Sequence, residues 1–449
     1  MSIGIKLKKG LDLHLAGGIT DSAPAAKVMP AQVAVVPDDF CGIVPKTEVH
    51  EGDTVAAGAP LLRSKACEDL KIVSPVAGRI VAVERGARRK IERVIVETDP
   101  KGDVVKADIS RIFTSGAEAR RFLLGSGLWA MTRQRPYAIV TDPRATIRDI
   151  FVTGFDSAPL AWSKQTFTPD EVKALEAGVR LLSLVTEGKV YVSRRDGIGL
   201  PDLKGAEMVD VAGPHPAGTA GPVIAAIRPV NKGETVMTLD IQTLWRIGSA
   251  ALSGVVPMTT TVALTGSEIT NPGLVDTVIG ASLADLLKGR VADDNRHHRV
   301  ISGNVLTGTA GPADGYLRFP YTQVTVIPEG DDVDEFMGWA SLSPKKMSTS
   351  ASFPGHFLGR RLFRPDARLL GGRRAMIMSG EYDKVFPMDI LPEYLVKAIL
   401  AKDIDRMEKL GIYEVAPEDF ALAEYADTSK LELQKIVREG LDYLRKELS

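Results

Sequence analysis

Two neighbouring stretches constrain the fold more than anything else in the chain. Glu51-Gly-Asp-Thr-Val-Ala-Ala-Gly-Ala-Pro-Leu-Leu62 is followed, after a short interval, by Ser74-Pro-Val-Ala-Gly-Arg-Ile-Val-Ala-Val83. Gly52, with Asp53, and Gly58 mark two tight turns, because glycine reaches positive φ without a steric penalty. Between the turns, Val55, Leu61, Leu62, Val73, Val76, Ile80 and Val83 fall in short segments of β type. The expectation is a small β module of short strands.

This pattern is that of one half of a biotinyl/lipoyl-like barrel sandwich. In carrier domains of that fold, a hairpin between the halves presents a lysine flanked by methionines. Here the hairpin reads Arg63-Ser-Lys-Ala-Cys-Glu-Asp-Leu70, with Lys65 but no neighbouring Met. The module is therefore expected to serve packing rather than to carry a covalent group.

At 449 residues, the chain has room for about three domains of ~150 residues. Its net charge is −1, which gives no electrostatic case for nucleic acid. The only cysteines, Cys41 and Cys67, cannot build a disulfide framework, a four-Cys metal site or an iron–sulfur cluster. The N-terminus has basic residues but no apolar core of a signal peptide. The longest uncharged run, Ile247 to Ser267, spans 21 residues. Gly254, Pro257 and several hydroxyl residues interrupt it, so it does not suit a lipid-facing helix.

The fold expected is multidomain, α/β and β. Residues 1–35 form an N-terminal arm and residues 36–100 the barrel sandwich, closing on the strand Ile91–Glu97. Residues 101–255 alternate strand and helix signals, predicting a Rossmann-like α/β layer with a mostly parallel sheet. Strands are expected at Ile147–Val152, Val190–Val192 and Glu207–Val211, and a helix at Pro169–Leu182. Residues 256–330 suggest a small β-grasp-like (SLBB) unit with a short helix at Leu283–Lys288. Residues 331–449 are expected to be mainly helical. One helix runs from Leu391 to about Leu410 and stops at Gly411. Ser429-Lys-Leu-Glu432 has the capping-box pattern before a final helix.

Nucleotide loops and hydrolase or zincin signatures are absent. Adjacent His297 and His298 point to opposite sides of an extended chain. With no Cys or Glu at ligand spacing, no metal site is expected there. Gly125-Ser-Gly-Leu-Trp-Ala-Met-Thr-Arg-Gln-Arg-Pro-Tyr137 combines aromatic faces with Arg donors, which suits a planar carbonyl-bearing ring. It equally suits a domain-junction turn with Trp129 in the core. His215-Pro-Ala-Gly-Thr-Ala-Gly-Pro222 can cradle an anion or simply connect two elements. Between His356 and Arg374, six arginines at 360, 361, 364, 368, 373 and 374 interleave with Phe357, Leu358, Leu362 and Phe363. They suit an anionic surface, or a solvated face paired with Glu381 and Asp383.

Ordered motifs along nearly the whole chain resemble the A subunit of the sodium-translocating NADH:quinone oxidoreductase. They are Ile5-Lys-Leu-Lys-Lys-Gly-Leu-Asp-Leu13, Ala16-Gly17, Val49-x-x-Gly-Asp53, Ser74-Pro-Val-x-Gly78, Glu84-Arg-Gly-Ala-x-Arg89 and Ser126-Gly-Leu-Trp129. Thr132-Arg133, Arg135-Pro136, Ile150-Phe-Val-Thr153, His215-Pro-Ala-Gly218, Tyr382-Asp-Lys-Val385 and Pro387-Met-Asp-Ile390 continue the series. The resemblance implies a relation to the flavin-binding subunit of respiratory complex I and to the C subunit of Rnf complexes. The chain departs from both. Leu128 and Trp129 are bulky where a flavin needs backbone approach, and Ala421–Asp427 lacks the cluster cysteines.

The resemblance further implies a peripheral subunit on the cytoplasmic face of the bacterial inner membrane. Its partners would be the other subunits of a six-subunit complex that oxidises NADH, reduces quinone and exports sodium. FMN, FAD and iron–sulfur clusters are then expected on other subunits, with no covalently bound cofactor here. Quinone is the possible substrate, with contacts expected from Phe40, Trp129, Arg133, Arg135 and Tyr137. A purely structural adaptor and a free-standing flavin-binding oxidoreductase are the alternatives.

Overall fold

The computed structural model describes residues 2–20, 25–196, 199–332, 343–349, 353–358 and 361–448. The barrel sandwich consists of two small antiparallel sheets. Gln32–Val35, Ile91–Thr98, Gly78–Arg85 and Thr54–Val55 make one, in that order, and Pro45–Thr47, Pro60–Ser64 and Lys71–Val73 the other. Gly52 and Gly58 adopt φ of +93° and +85°, as the turns require. A bulge between Pro60 and Leu62 explains why consecutive Leu61 and Leu62 are both fully buried, since an added residue breaks the two-fold alternation of faces.

The α/β sheet contains β1 (Ile3–Lys6), β2 (Arg133–Arg135), β3 (Ile150–Thr153), β4 (Val190–Arg195), β5 (Glu207–Ala212) and β6 (Val236–Asp240). Its order is β1-β5-β4-β3-β6-β2. All pairs are parallel except β2 with β6. The helix α1 (Gly116–Gly125) leads into this layer from the barrel. Helices α2 (Pro169–Leu182) and α4 (Ile241–Ser253) share a core with one face of the sheet. Helix α3 (Ala220–Ile227) packs on the other through Val223 and Ile224. Thr168 and Glu171 form a capping box with Pro169 in the first turn, so α2 starts where its sequence says it should. Gly127 has φ of +77°, and a Cβ there would meet Val73 at 2.8 Å. The glycine-containing loop is thus pressed against the barrel.

The β-grasp unit is a six-stranded sheet in the order Thr309–Gly311, His298–Ser302, Gln323–Pro328, Thr259–Thr265, Gly273–Val278 and Ala26–Lys27. Its helix Leu283–Leu287 buries Leu283 and Leu286 against Val262, Leu264, Val324 and Val326. The N-terminal arm is drawn into three of the four sheets. It supplies β1, then Ala26–Lys27, then Gln32–Val35, with Leu15 bridging Phe363 on the way.

The C-terminal region packs helices around Phe386, Leu395, Met407, Phe420, Val437 and Leu441. Two local expectations fail. The helix expected from Leu391 to Leu410 is two helices, Pro392–Leu400 and Ile404–Lys409. Lys402 adopts φ of +54° between them, and Asp403 caps the second by accepting from the Arg406 N–H. Ser429 does not cap the final helix, Leu433–Leu448. Its hydroxyl donates to the Ala375 carbonyl (3.1 Å), and Glu424 accepts the Gln434 N–H (2.8 Å).

Of the six arginines, Arg360 lies outside the described residues. Arg361 and Arg364 are exposed. Arg368 pairs with Asp366, and Arg373 lies 3.4 Å from Glu432. Glu381 pairs instead with Lys384. Among the described residues, no helix is long and apolar enough to cross a membrane.

Candidate functional site

From β3 the chain builds outward through α2 to β4 and then β5. It then returns through α3 to the other side of β3 as β6. The direction of winding therefore reverses between β3 and β6. At such a switch point the connections leave the strands' carboxyl ends on opposite faces and open a crevice, where doubly wound sheets bind ligands. Here Gly154-Phe-Asp156 continues β3, and Asp240-Ile-Gln242 continues β6 into α4. Both segments line a cavity of about 1140 Å³.

Five parts of the chain enclose this space. The β2 region contributes Met131, Arg133 and Gln134. The segment after β3 contributes Phe155, Trp162 and Phe167, and α4 contributes Trp245. The β-grasp unit supplies Thr260, Asp276 and Tyr321, and the C-terminal region supplies Pro417 and Glu418. The volume exceeds the 300–1000 Å³ of a typical small-molecule pocket.

The cavity is acidic where a dinucleotide-binding site would be phosphate-friendly. Asp240 is the N-cap of α4 and accepts the Thr243 N–H at 2.7 Å. Its carboxylate thus holds the place that an anionic ligand takes at a helix N-terminus. Asp156 accepts from the Ala158 N–H at 2.7 Å, and desolvation inside the cavity raises its carboxyl above the ordinary range. Glu418 lines the cavity and is 47 % exposed. Enclosure raises it too, with Asp419 and Asp156 adding to the shift and Arg135 opposing it.

The five residues expected to contact quinone have different fates. Arg133 lines the cavity; its Nη2 donates to the Asp39 carbonyl at 2.5 Å. Arg135 also borders it, but its guanidinium is 2 % exposed and committed to Asp419 (2.5 Å), Glu418 (3.2 Å) and the Glu414 carbonyl (2.6 Å). Phe40 stacks on Phe319 with centroids 5.5 Å apart, behind the wall. Trp129 is fully buried and donates Nε1–H to the Thr141 carbonyl at 2.7 Å. Tyr137, at φ of +78°, packs against the C-terminal helices. Asp156, Trp162, Trp245 and Glu418 were not anticipated. The strand expected at Ile147–Val152, taken with the carboxyl-end rule, points to Asp156. Nothing local marks Glu418.

The other glycine-proline loop links β5 to α3 and places His215, Gly218 and Thr219 on the cavity wall. His215 Nδ1 lies 3.0 Å from Ser157 Oγ, which accepts the Gly218 N–H at 2.8 Å. The His215 N–H donates to Asp12 at 2.9 Å. Burial lowers the imidazole to about 4.

A doubly wound sheet whose enlarged switch-point cavity is roofed by a β-grasp unit, joined to a barrel sandwich, defines a multidomain scaffold of α/β and β parts. Family models describe its parts as the NqrA N-terminal barrel-sandwich hybrid domain (residues 5–99), the NqrA second alpha/beta domain (114–256) and the NQRA C-terminal domain (261–311). The A subunit of the Na(+)-translocating NADH-quinone reductase of Serratia proteamaculans is 36 % identical over 99 % of this chain and all of that protein. The protein of the same name from Neisseria meningitidis is 34 % identical, and that from Vibrio alginolyticus 35 %, at the same coverage. The chain belongs to the family of A subunits of the sodium-translocating NADH-quinone reductase, a translocase. A NAD+-reducing [NiFe]-hydrogenase covers 76 % of the chain, and the chain covers 63 % of it, at 12 % identity and a TM-score of 0.36, a likeness too distant to support any argument.

Proposed function

We propose that the chain is a peripheral, quinone-handling subunit on the cytoplasmic face of a six-subunit membrane complex, and that quinone enters the switch-point cavity. The cavity itself carries this reading. It sets Phe155, Trp162 and Trp245 around a space with Arg133 on its wall and two carboxyls, Asp156 and Glu418, pushed toward their protonated forms. Aromatic faces bind a flat ring, and a guanidinium or a neutral carboxylic acid donates to a carbonyl oxygen. About 1140 Å³ leaves room for a head group and part of an isoprenoid tail. Of the five residues expected to contact quinone, Arg133 remains the direct donor. Phe40, Trp129, Arg135 and Tyr137 support the wall.

In this reading the chain carries no flavin and no iron–sulfur cluster. Asp240 on the N-terminus of α4 and Asp156 beside it oppose phosphate, and Cys41 and Cys67 are two isolated thiols in the barrel module. FMN, FAD and clusters then belong to other subunits.

Titrating the full chain with a soluble quinone analogue by calorimetry tests the proposal. Saturable binding is expected, weakened about tenfold, or ~1.4 kcal/mol, by Trp245→Ala and by Arg133→Met. Trp129→Phe should leave it unchanged. If neither the isolated chain nor the assembled complex shows saturable binding that responds to the cavity variants, the quinone site lies elsewhere.

A further inference from the structure

Three connections of the β-grasp unit meet at one end of its sheet, away from the cavity. Glu268 follows the strand Thr259–Thr265, Asp294 sits in the loop after the short helix, and His298 opens the strand His298–Ser302. The backbone fixes Glu268 on both sides. Its N–H donates to the Val326 carbonyl at 3.3 Å, and its carbonyl accepts the Ala292 N–H at 2.9 Å. The side chains of Glu268 and His298 are 7 % and 9 % exposed.

His298 Nε2 lies 2.9 Å from Asp294 Oδ1 and 4.0 Å from Glu268 Oε2. One donor atom from each of the three falls within 4.8 Å of the others. A tetrahedral cation at about 2.0–2.2 Å from its ligands holds them about 3.3–3.6 Å apart, inside this range. Glu268 Oε1 accepts from Ser267 Oγ at 2.8 Å. Oε2 accepts no hydrogen bond among the described residues and faces the gap, with Arg296 3.7 Å away. A buried carboxylate oxygen without a close donor is costly unless a cation completes it. Arg296 is a loose substitute: it is 50 % exposed and held mainly by Asp294.

We propose that Glu268, Asp294 and His298 bind a divalent transition cation, with Zn2+ the best fit and water in the fourth position. One imidazole and two carboxylates suit a borderline cation, whereas Ca2+ and Mg2+ require six or more oxygens. On binding, the half-exposed Arg296 swings into solvent and releases Asp294. The cation ties the loop between the short helix and the strand His298–Ser302 to the turn after Thr265. None of the three ligands lines the cavity, so the site is separate from the quinone proposal and stands or falls alone. The sequence disguises it, because Glu268 lies far from the histidines and is brought to them only by sheet pairing.

His297 provides an internal control. It is 79 % exposed and pairs with Asp331 instead. The full chain, stripped with a chelator, is titrated with Co2+ as a spectroscopic probe and with Zn2+ by calorimetry. One equivalent with the visible bands of four-coordinate Co2+ is expected. His298→Gln and Glu268→Gln should each weaken binding more than tenfold, His297→Gln should not, and Arg296→Gln should strengthen it. No binding below ~1 mM, or binding that survives His298→Gln, overturns the proposal. Metal-free melting curves separate lost ligation from lost folding, and if Glu268→Gln fails to fold, His298→Gln decides alone.

Discussion

At the residue scale, burial determines the chemistry of His215 more than its neighbours do. The ring is 3 % exposed, and its folded value of about 4 lies below the ordinary 6.5. It is therefore neutral in the native state, where it faces Ser157. When the folded value is depressed, the unfolded chain binds the proton first. The stabilisation is complete above pH 6.5 and is lost as pH falls from 6.5 toward 4. A shift of this size corresponds to at most ~3 kcal/mol. We expect the melting temperature of the wild-type chain to fall more steeply across that window than that of His215→Asn; parallel curves would show that another group governs acid lability. Arg135 shows the complementary rule. Its guanidinium survives burial only because Asp419, Glu418 and a carbonyl occupy its donors, which is why an arginine suited by type to a quinone carbonyl is unavailable to one.

At the element scale, α2 and α4 approach more closely than most helix pairs allow. A Cβ on Gly248 would stand 1.6 Å from the Ala174 carbonyl oxygen, and one on Gly178 would stand 2.6 Å from that of Leu244. Alanine would gain about 1 kcal/mol of helix propensity, but the backbone clash outweighs it, because overpacking costs about 1–3 kcal/mol or more. Gly248→Ala should lower the unfolding free energy by a net ~1–2 kcal/mol, read as a lower denaturant midpoint with an unchanged m-value. An unchanged midpoint would mean that the helices separate freely. Elements whose signals are local were legible in the sequence: α2 by its run of Ala, Leu, Glu and Lys, β4 and β5 by their short apolar β-type runs. The break at Lys402 was not, because a lysine at positive φ carries no signature. The cap at Glu424 was missed because it reaches the helix from outside. The candidate site divides in the same way. Arg133 stands in a conspicuous motif, whereas Asp156 and Glu418 belong to different parts of the chain and become neighbours only once those parts pack.

At the scale of the whole molecule, the N-terminal arm binds the barrel, the α/β layer and the β-grasp unit together. Ile5 and Leu7 pack beside Val209 and Val211, and β1 covers the outer edge of β5. Removing residues 1–8 should cost about 3 kcal/mol, the burial of two partly enclosed aliphatic side chains. It should also expose a parallel edge prone to pairing with another copy. Light scattering would detect the resulting self-association, and a monomer of full stability would contradict this role for β1. The same strand sets a timetable for the growing polypeptide. Ile3 is made 206 positions before its partner Val209. At about 5–20 residues per second, β1 waits on the order of 10–40 s for the strand it must join. An apolar, unpaired β-segment on a nascent chain is a ready substrate for a holding chaperone, so ribosomes making this protein carry an exposed segment until the α/β layer is almost complete.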